Sequence, residues 1–336
     1  MTLLSVDYNI NNYRYNNDKK DYYKNNSYFN SKNVSFANRE DKNSKKELKY
    51  KSPSIGKIIL GVMAGLTVNA YINKQAKLIS SIIVQRMRNI SKNLSRDEKL
   101  QIDKATIETM KKTGLENKGV SIIKSTSENY SDIFDIMLKE IDNSILKYLP
   151  KPLKKGIAAS NANQFKFGLN ACYTNYSKKI ILPEKDLSLS VFHESGHAIN
   201  DNFTNVGRFL QKSRRLSMLA LPLAVIALFK TKKGVNEKNK NFLDKITTFI
   251  KENVGKLTFI AFLPMLLEEG LATLRGNKFA KEFLNPDLAK KVAKSNALGF
   301  LTYFLTATLS SIGVYLANKV KDSIVKPRVV IENRNK

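Results

Sequence analysis

The chain has 336 residues, enough for one or two domains with a sizeable core. A single cysteine, Cys172, excludes an internal disulfide framework. The formal charge of +28 raises nucleic acid and anionic lipid as partners. The excess is mostly lysine spread along the whole chain, with no glycine-aromatic RNA motif, zinc-finger cysteine pair or dense arginine run. No nucleic-acid partner is therefore expected, and a lipid membrane is the better match.

Residues 1–52 are rich in Asn, Tyr, Lys and Ser without apolar periodicity, and are expected to form a disordered tail. The start lacks the basic-then-apolar pattern of a cleavable signal. Residues 53–92 are expected to form a membrane anchor helix and its extension, because IGKIILGVMAGLTVNAYI at 55–72 is long and apolar enough to insert. Residues 75–113 read as two amphipathic helices, the second capped by Ser95 with Glu98 at the third helical position. GVSIIK at 119–124 is strand-like, and 130–148 carries a helical stripe of Ile133, Ile136, Met137, Ile141 and Ile145. GLNACYTNYSKKIIL at 168–182 reads as two short strands around an Asn-Tyr-Ser turn. A helix follows over 187–199.

Two apolar segments come next, 216–229, broken by Pro222, and 257–267. Between them, 230–256 is expected to be a basic polar loop. Residues 297–317 hold about twenty uncharged positions, the clearest transmembrane segment. The implied division is a domain over 93–295 with an apolar hairpin at 216–267, a transmembrane helix at 296–318 and a basic tail at 319–336. The fold class expected is α+β, mainly helical, with a small sheet and several membrane-associated helices.

The chemistry centres on HESGH at 193–197. Histidines four apart lie on one helix face, so His193 and His197 can grip one zinc ion. The intervening Glu194 sits beside the metal's water and can act as general base on a peptide carbonyl. The five-residue pattern alone is weak, but these are the only two histidines in the chain. Gly196 in mid-helix costs about 1 kcal/mol relative to Ala, which an ordinary helix has little reason to carry. The metzincin pattern is excluded, since Asn200 and Phe203 stand where it needs Gly and His. Asp201 is one choice of third ligand; Glu268 and Glu269, ending an apolar helix, are better ones. Ala272, three residues after Glu269, would let two helices approach closely.

The run HESGHAI resembles the metal helix of bacterial neutral zinc metallopeptidases. Glu269, Ala272, Thr273 and Arg275 in EEGLATLR resemble the glutamate-bearing helix of the same group. GLNACYT resembles the edge strand of the membrane-embedded heat-shock and prenyl-protein peptidases. The resemblance covers about residues 165–280. It implies a zincin-like core of the glutamate type, with Glu269 rather than Glu268 as third ligand. It also implies a protein or peptide substrate paired as an added strand with Asn170 and Ala171, and a bacterial membrane setting. Such enzymes often stabilise the oxyanion with a further His or a Tyr; here Tyr173, Tyr303, Arg275 or the zinc alone remain open. The positive-inside rule does not decide which side the site faces, because the catalytic stretch is basic too. The rival expectation is a non-enzymatic basic adaptor, anchored in a membrane, with a vestigial or structural metal site.

Overall fold

The computed structural model describes residues 46–51, 53–183, 187–230, 241–326 and 328–333. The chain divides into two units, 48–330 and a smaller one of residues 1–47 with 331–336. Strand β1 (Lys46–Lys51) and strand β5 (Arg328–Asn333) form a two-stranded sheet. β1 thus lies inside the segment expected to be a disordered tail, and β5 inside the basic tail. Leu48 and Tyr50 alternate with lysines in the first, and Val329, Val330 and Ile331 are β-branched in the second. Both patterns suit strands despite their charge. Residues 1–45 of that expected tail lie outside the described residues.

The main unit is mainly helical with one three-stranded sheet. Helix α1 (Ile55–Lys92) runs without a break, so the first expected amphipathic helix is the extension of the anchor helix. Nothing at 73–75 supplies a stop signal: there is no Gly or Pro there. Helix α2 (Arg96–Thr113) starts at the expected capping box. Glu98 N–H donates to Ser95 Oγ at 3.1 Å, and Ser95 N–H donates to Glu98 Oε2 at 2.9 Å. Gly114, at φ 69°, ends the helix in the left-handed conformation.

Strand β2 (Ser121–Ser125) pairs in parallel with β4 (Lys179–Pro183), and β3 (Cys172–Thr174) pairs antiparallel with β4. The order β2-β4-β3 leaves β3 at an edge. Helices α3 (Tyr130–Asp142) and α4 (Lys151–Lys166) cover one side of the sheet, burying Ile133, Met137, Ala158, Phe165 and Ile181 together. A second core joins α2, Ile180, Leu182, Leu189 and Phe192 to Ala280, Leu288 and Val292.

After β4 a single 3-10 turn (Ser188–Ser190) leads into helix α5 (Val191–Phe203), which carries HESGH. Helix α6 (Asn205–Ser213) and a 3-10 stretch (Arg214–Leu219) follow. Helix α7 (Ala220–Phe229) holds Pro222 in its first turn, where no intrahelical partner is lost, so the proline starts this helix rather than breaking it. The polar loop expected at 230–256 is only partly a loop, because helix α8 (Phe242–Phe283) already spans 242–256. Ile246, Phe249, Ile250 and Val254 keep helical spacing beneath the lysines, and Asn241 caps the start through its side chain, which accepts from Asp244 N–H at 2.8 Å.

Helix α8 continues through Pro264 and the Glu268–Glu269 pair as one rod. It turns at Asn285, the N-cap of helix α9 (Pro286–Ile324), which contains the whole 297–317 segment. Helices α1, α8 and α9 are long and apolar enough to cross a membrane. The α1–α9 packing is close. A Cβ at Gly65 would lie 2.7 Å from the Ala317 carbonyl oxygen, and one at Gly313 would lie 2.7 Å from Asn69 Oδ1. Small residues at such crossings are how membrane helices gain contact, since lipid gives no hydrophobic drive.

Candidate metal centre

Two helices bring the site together. On α5, residues 193, 197 and 200 share one face, and that face packs on α8 at 268–276. The approach is set by glycine. A Cβ at Gly196 would lie 2.8 Å from Ala272 Cα, and closer still to the Ala272 carbonyl oxygen. One at Gly276 would lie 2.7 Å from the Phe192 carbonyl carbon. The two backbones therefore nearly touch, which pushes the imidazoles of α5 into the carboxylates of α8. His193, Glu194, His197, Glu268 and Glu269 are all buried.

Three ligand atoms converge. His193 Nε2 and His197 Nε2 are 3.0 Å apart. Glu269 Oε2 lies 3.1 Å from the first and 3.4 Å from the second. Bonds of about 2 Å in tetrahedral directions put neighbouring ligand atoms roughly 3.3 Å apart. The triangle therefore has the size of one face of a zinc tetrahedron.

The other ring nitrogens are occupied. Glu268 Oε1 sits 2.7 Å from His197 Nδ1, and Thr273 Oγ1 sits 3.2 Å from His193 Nδ1. A carboxylate can only accept, so His197 carries a proton on Nδ1, and the Nε2 that faces the centre is the nitrogen left to bind a metal once its own proton is displaced. This is the outer-shell arrangement that orients a metal-binding histidine. Glu268 is held in turn by Asn200 Nδ2, which donates to Oε1 at 2.9 Å. Burial works against a charged His197, yet Glu268 and Glu269 outweigh it and hold its pKa well above the ordinary value. The same negative field favours any cation at this point, metal or proton.

Glu194 lies on the open side. One of its carboxylate oxygens falls within 4.8 Å of a nitrogen of each histidine, a gap of the size one water can bridge. Burial pushes its pKa up, with His197 and His193 opposing. Two cavities meet at this side chain. A small one of about 80 Å³ is lined by Val84, Met87, Leu169, Gly299 and Thr302 together with His193 and Glu194. A larger one of about 340 Å³ is lined by Asn175, Gln211 and Arg215 together with Glu194 and His197.

No protein-family model matches the chain, and comparison with curated proteins and with solved structures finds no match.

The remaining sequence-predicted residues fall as follows. Asn170 and Ala171 line both cavities, but they precede the strand, which begins at Cys172 and not at Gly168 as expected. Asp201 does not join the histidine–glutamate cluster; it accepts from the Tyr173 hydroxyl at 3.0 Å. Asn202 Nδ2 donates to the same hydroxyl. Arg275 donates to Asn200 Oδ1, bracing the helix contact from behind. Tyr303 lines both cavities, with the Arg214 guanidinium 6.0 Å from its ring centre. Of the oxyanion alternatives, Tyr173 lines the larger cavity but its hydroxyl is engaged by Asp201 and Asn202, whereas Tyr303 lines both cavities with its hydroxyl outside any side-chain hydrogen bond found among the described residues.

Two polar partners were not anticipated. Asn200 could have been found, because it lies three residues after His197 on the same helix face. Arg214 could not: it sits in the basic run KSRR, and only the fold places its guanidinium on both glutamates.

Proposed function

We propose that the chain is a membrane-associated zinc endopeptidase with a zincin-like core of the glutamate type. The observation that carries this reading is the triangle of His193 Nε2, His197 Nε2 and Glu269 Oε2, with sides of 3.0, 3.1 and 3.4 Å. His193, His197 and Glu269 would hold the ion, and the donor set of two imidazoles and one carboxylate suits zinc. When bound, zinc supplies a Lewis acid and lowers the pKa of its water to roughly 7.

The chain's own groups do the rest. Glu194 accepts the proton of the attacking water and later passes it to the leaving amine nitrogen. Its burial keeps competing water away from that carboxyl. Asn170 and Ala171, on the rim shared by both cavities, bind the substrate backbone. Glu268 and Thr273 fix the imidazole planes. An adaptor with a structural ion would need a fourth protein ligand. Here the two cavities reach His193, Glu194 and His197 and would give water and substrate access to a bound ion, which favours catalysis.

The test is cleavage of an unfolded protein such as casein by the detergent-solubilised full chain. Cleavage should stop on treatment with a zinc chelator and return when zinc is restored. Cleavage unaffected by the chelator would refute the metal mechanism.

A further inference from the structure

Glu269 has two oxygens, and only one of them faces the histidines. Oε2 belongs to the metal triangle; Oε1 accepts from Arg214 Nη2 at 2.6 Å. The same guanidinium donates from Nη1 to Glu268 Oε2 at 2.9 Å. Arg214 thus bridges the outer oxygens of two adjacent buried carboxylates, whose inner oxygens, Glu268 Oε1 and Glu269 Oε2, serve His197 Nδ1 and the metal triangle. A planar fork with fixed donor directions suits this role, and a point charge does not. Position 214 is where α6 ends and the 3-10 stretch begins, so the backbone turn aims the side chain back at α8.

Zinc has no geometric preference of its own, and carboxylates bind hard cations through one oxygen or two. Denticity at Glu269 must therefore be imposed by the protein. We propose that Arg214 is a positioning residue that captures Glu269 Oε1. Glu269 then binds the metal through Oε2 alone, leaving the fourth coordination position for water. The proposal rests on the metal-site reading above. It differs from general charge balance, because any cation would neutralise the two glutamates but only a fork sorts their four oxygens.

Cobalt replaces zinc at such sites and reports coordination number through its visible bands, which are intense at four ligands and weak at five. Full-length protein in detergent is loaded with Co²⁺ as wild type, Arg214→Lys and Arg214→Gln. Folding is checked by circular dichroism. Wild type should show intense four-coordinate bands. In the folded variants these bands should weaken as Glu269 turns bidentate, with metal affinity lowered about 10- to 100-fold. Arg214→Lys keeps the charge beside the carboxylates, so it reports on geometry even if the neutral variant fails to fold. Wild-type band intensity in Arg214→Lys overturns the proposal, as does a folded Arg214→Lys that binds no cobalt. Wild type that binds neither cobalt nor zinc overturns the metal site itself, which is a separate failure.

Discussion

Glu194→Gln should lower kcat/KM for peptide cleavage by about 10²- to 10⁴-fold while leaving the zinc content unchanged. The two side chains have the same shape, so the packing of α5 is kept. Glu194 is buried in the wall shared by both cavities, on the open side of the three ligands. Its proposed part is proton transfer, which an amide cannot perform. The change also removes a buried carboxyl whose charged form is disfavoured by its surroundings. Thermal stability should therefore stay level or rise. Cleavage at the wild-type rate by a zinc-loaded Glu194→Gln protein would remove Glu194 from the mechanism.

Gly196→Ala should be severely destabilising, although helix propensity alone predicts the opposite. In an open helix the change gains about 1 kcal/mol. Here the added methyl would meet the Ala272 backbone, with Cα at 2.8 Å and the carbonyl oxygen nearer still. Backbone cannot rotate aside as a side chain can, so α5 and α8 must separate. Overpacking usually costs 1–3 kcal/mol, and backbone collisions fall at or above the upper end of about 3 kcal/mol. Separation also draws the imidazoles away from Glu269, so zinc should be lost together with stability. Gly156→Ala is the control. Gly156 sits in mid-α4, exposed, with nothing within 4 Å of an added Cβ. It should gain up to about 1 kcal/mol. Melting curves of both variants in one detergent decide the matter; a Gly196→Ala protein as stable as the control would show that the helix contact is not tight.

Much of this arrangement was legible in the sequence, for reasons that can be named. HESGH announces itself because helical spacing alone puts His193 and His197 on one face. The cost of Gly196 marked HESGH as more than an ordinary helix, and the small Ala272 promised a close helix approach, but only the fold shows that these two residues meet. The choice between Glu268 and Glu269 was harder. Adjacent residues on a helix point about 100° apart, and only the crossing of α5 over α8 shows which carboxylate meets both Nε2 atoms.

Helix boundaries were less legible. The lysines at 245, 251 and 256 made 242–256 look like a loop, yet a charged helix face and a loop differ only in the spacing of the apolar residues beneath. Lys251 is itself buried, its ammonium 2.8 Å from Asp322 Oδ1, a pairing between distant segments that no local pattern reveals. Arg214 was hidden for the same reason. Its partners lie 54 and 55 residues away, and nothing in KSRR distinguishes it from Arg215, which donates to the Tyr176 hydroxyl instead.

The central claim is that two histidines and one glutamate hold a zinc ion. Elemental analysis of the purified full-length protein tests it most directly, on wild type and on His193→Ala in parallel. The expected result is about one zinc per chain in wild type and almost none in folded His193→Ala, since zinc sites need three protein ligands to bind tightly. Wild-type protein without zinc or another transition metal, or an equal zinc content in the two proteins, would contradict it.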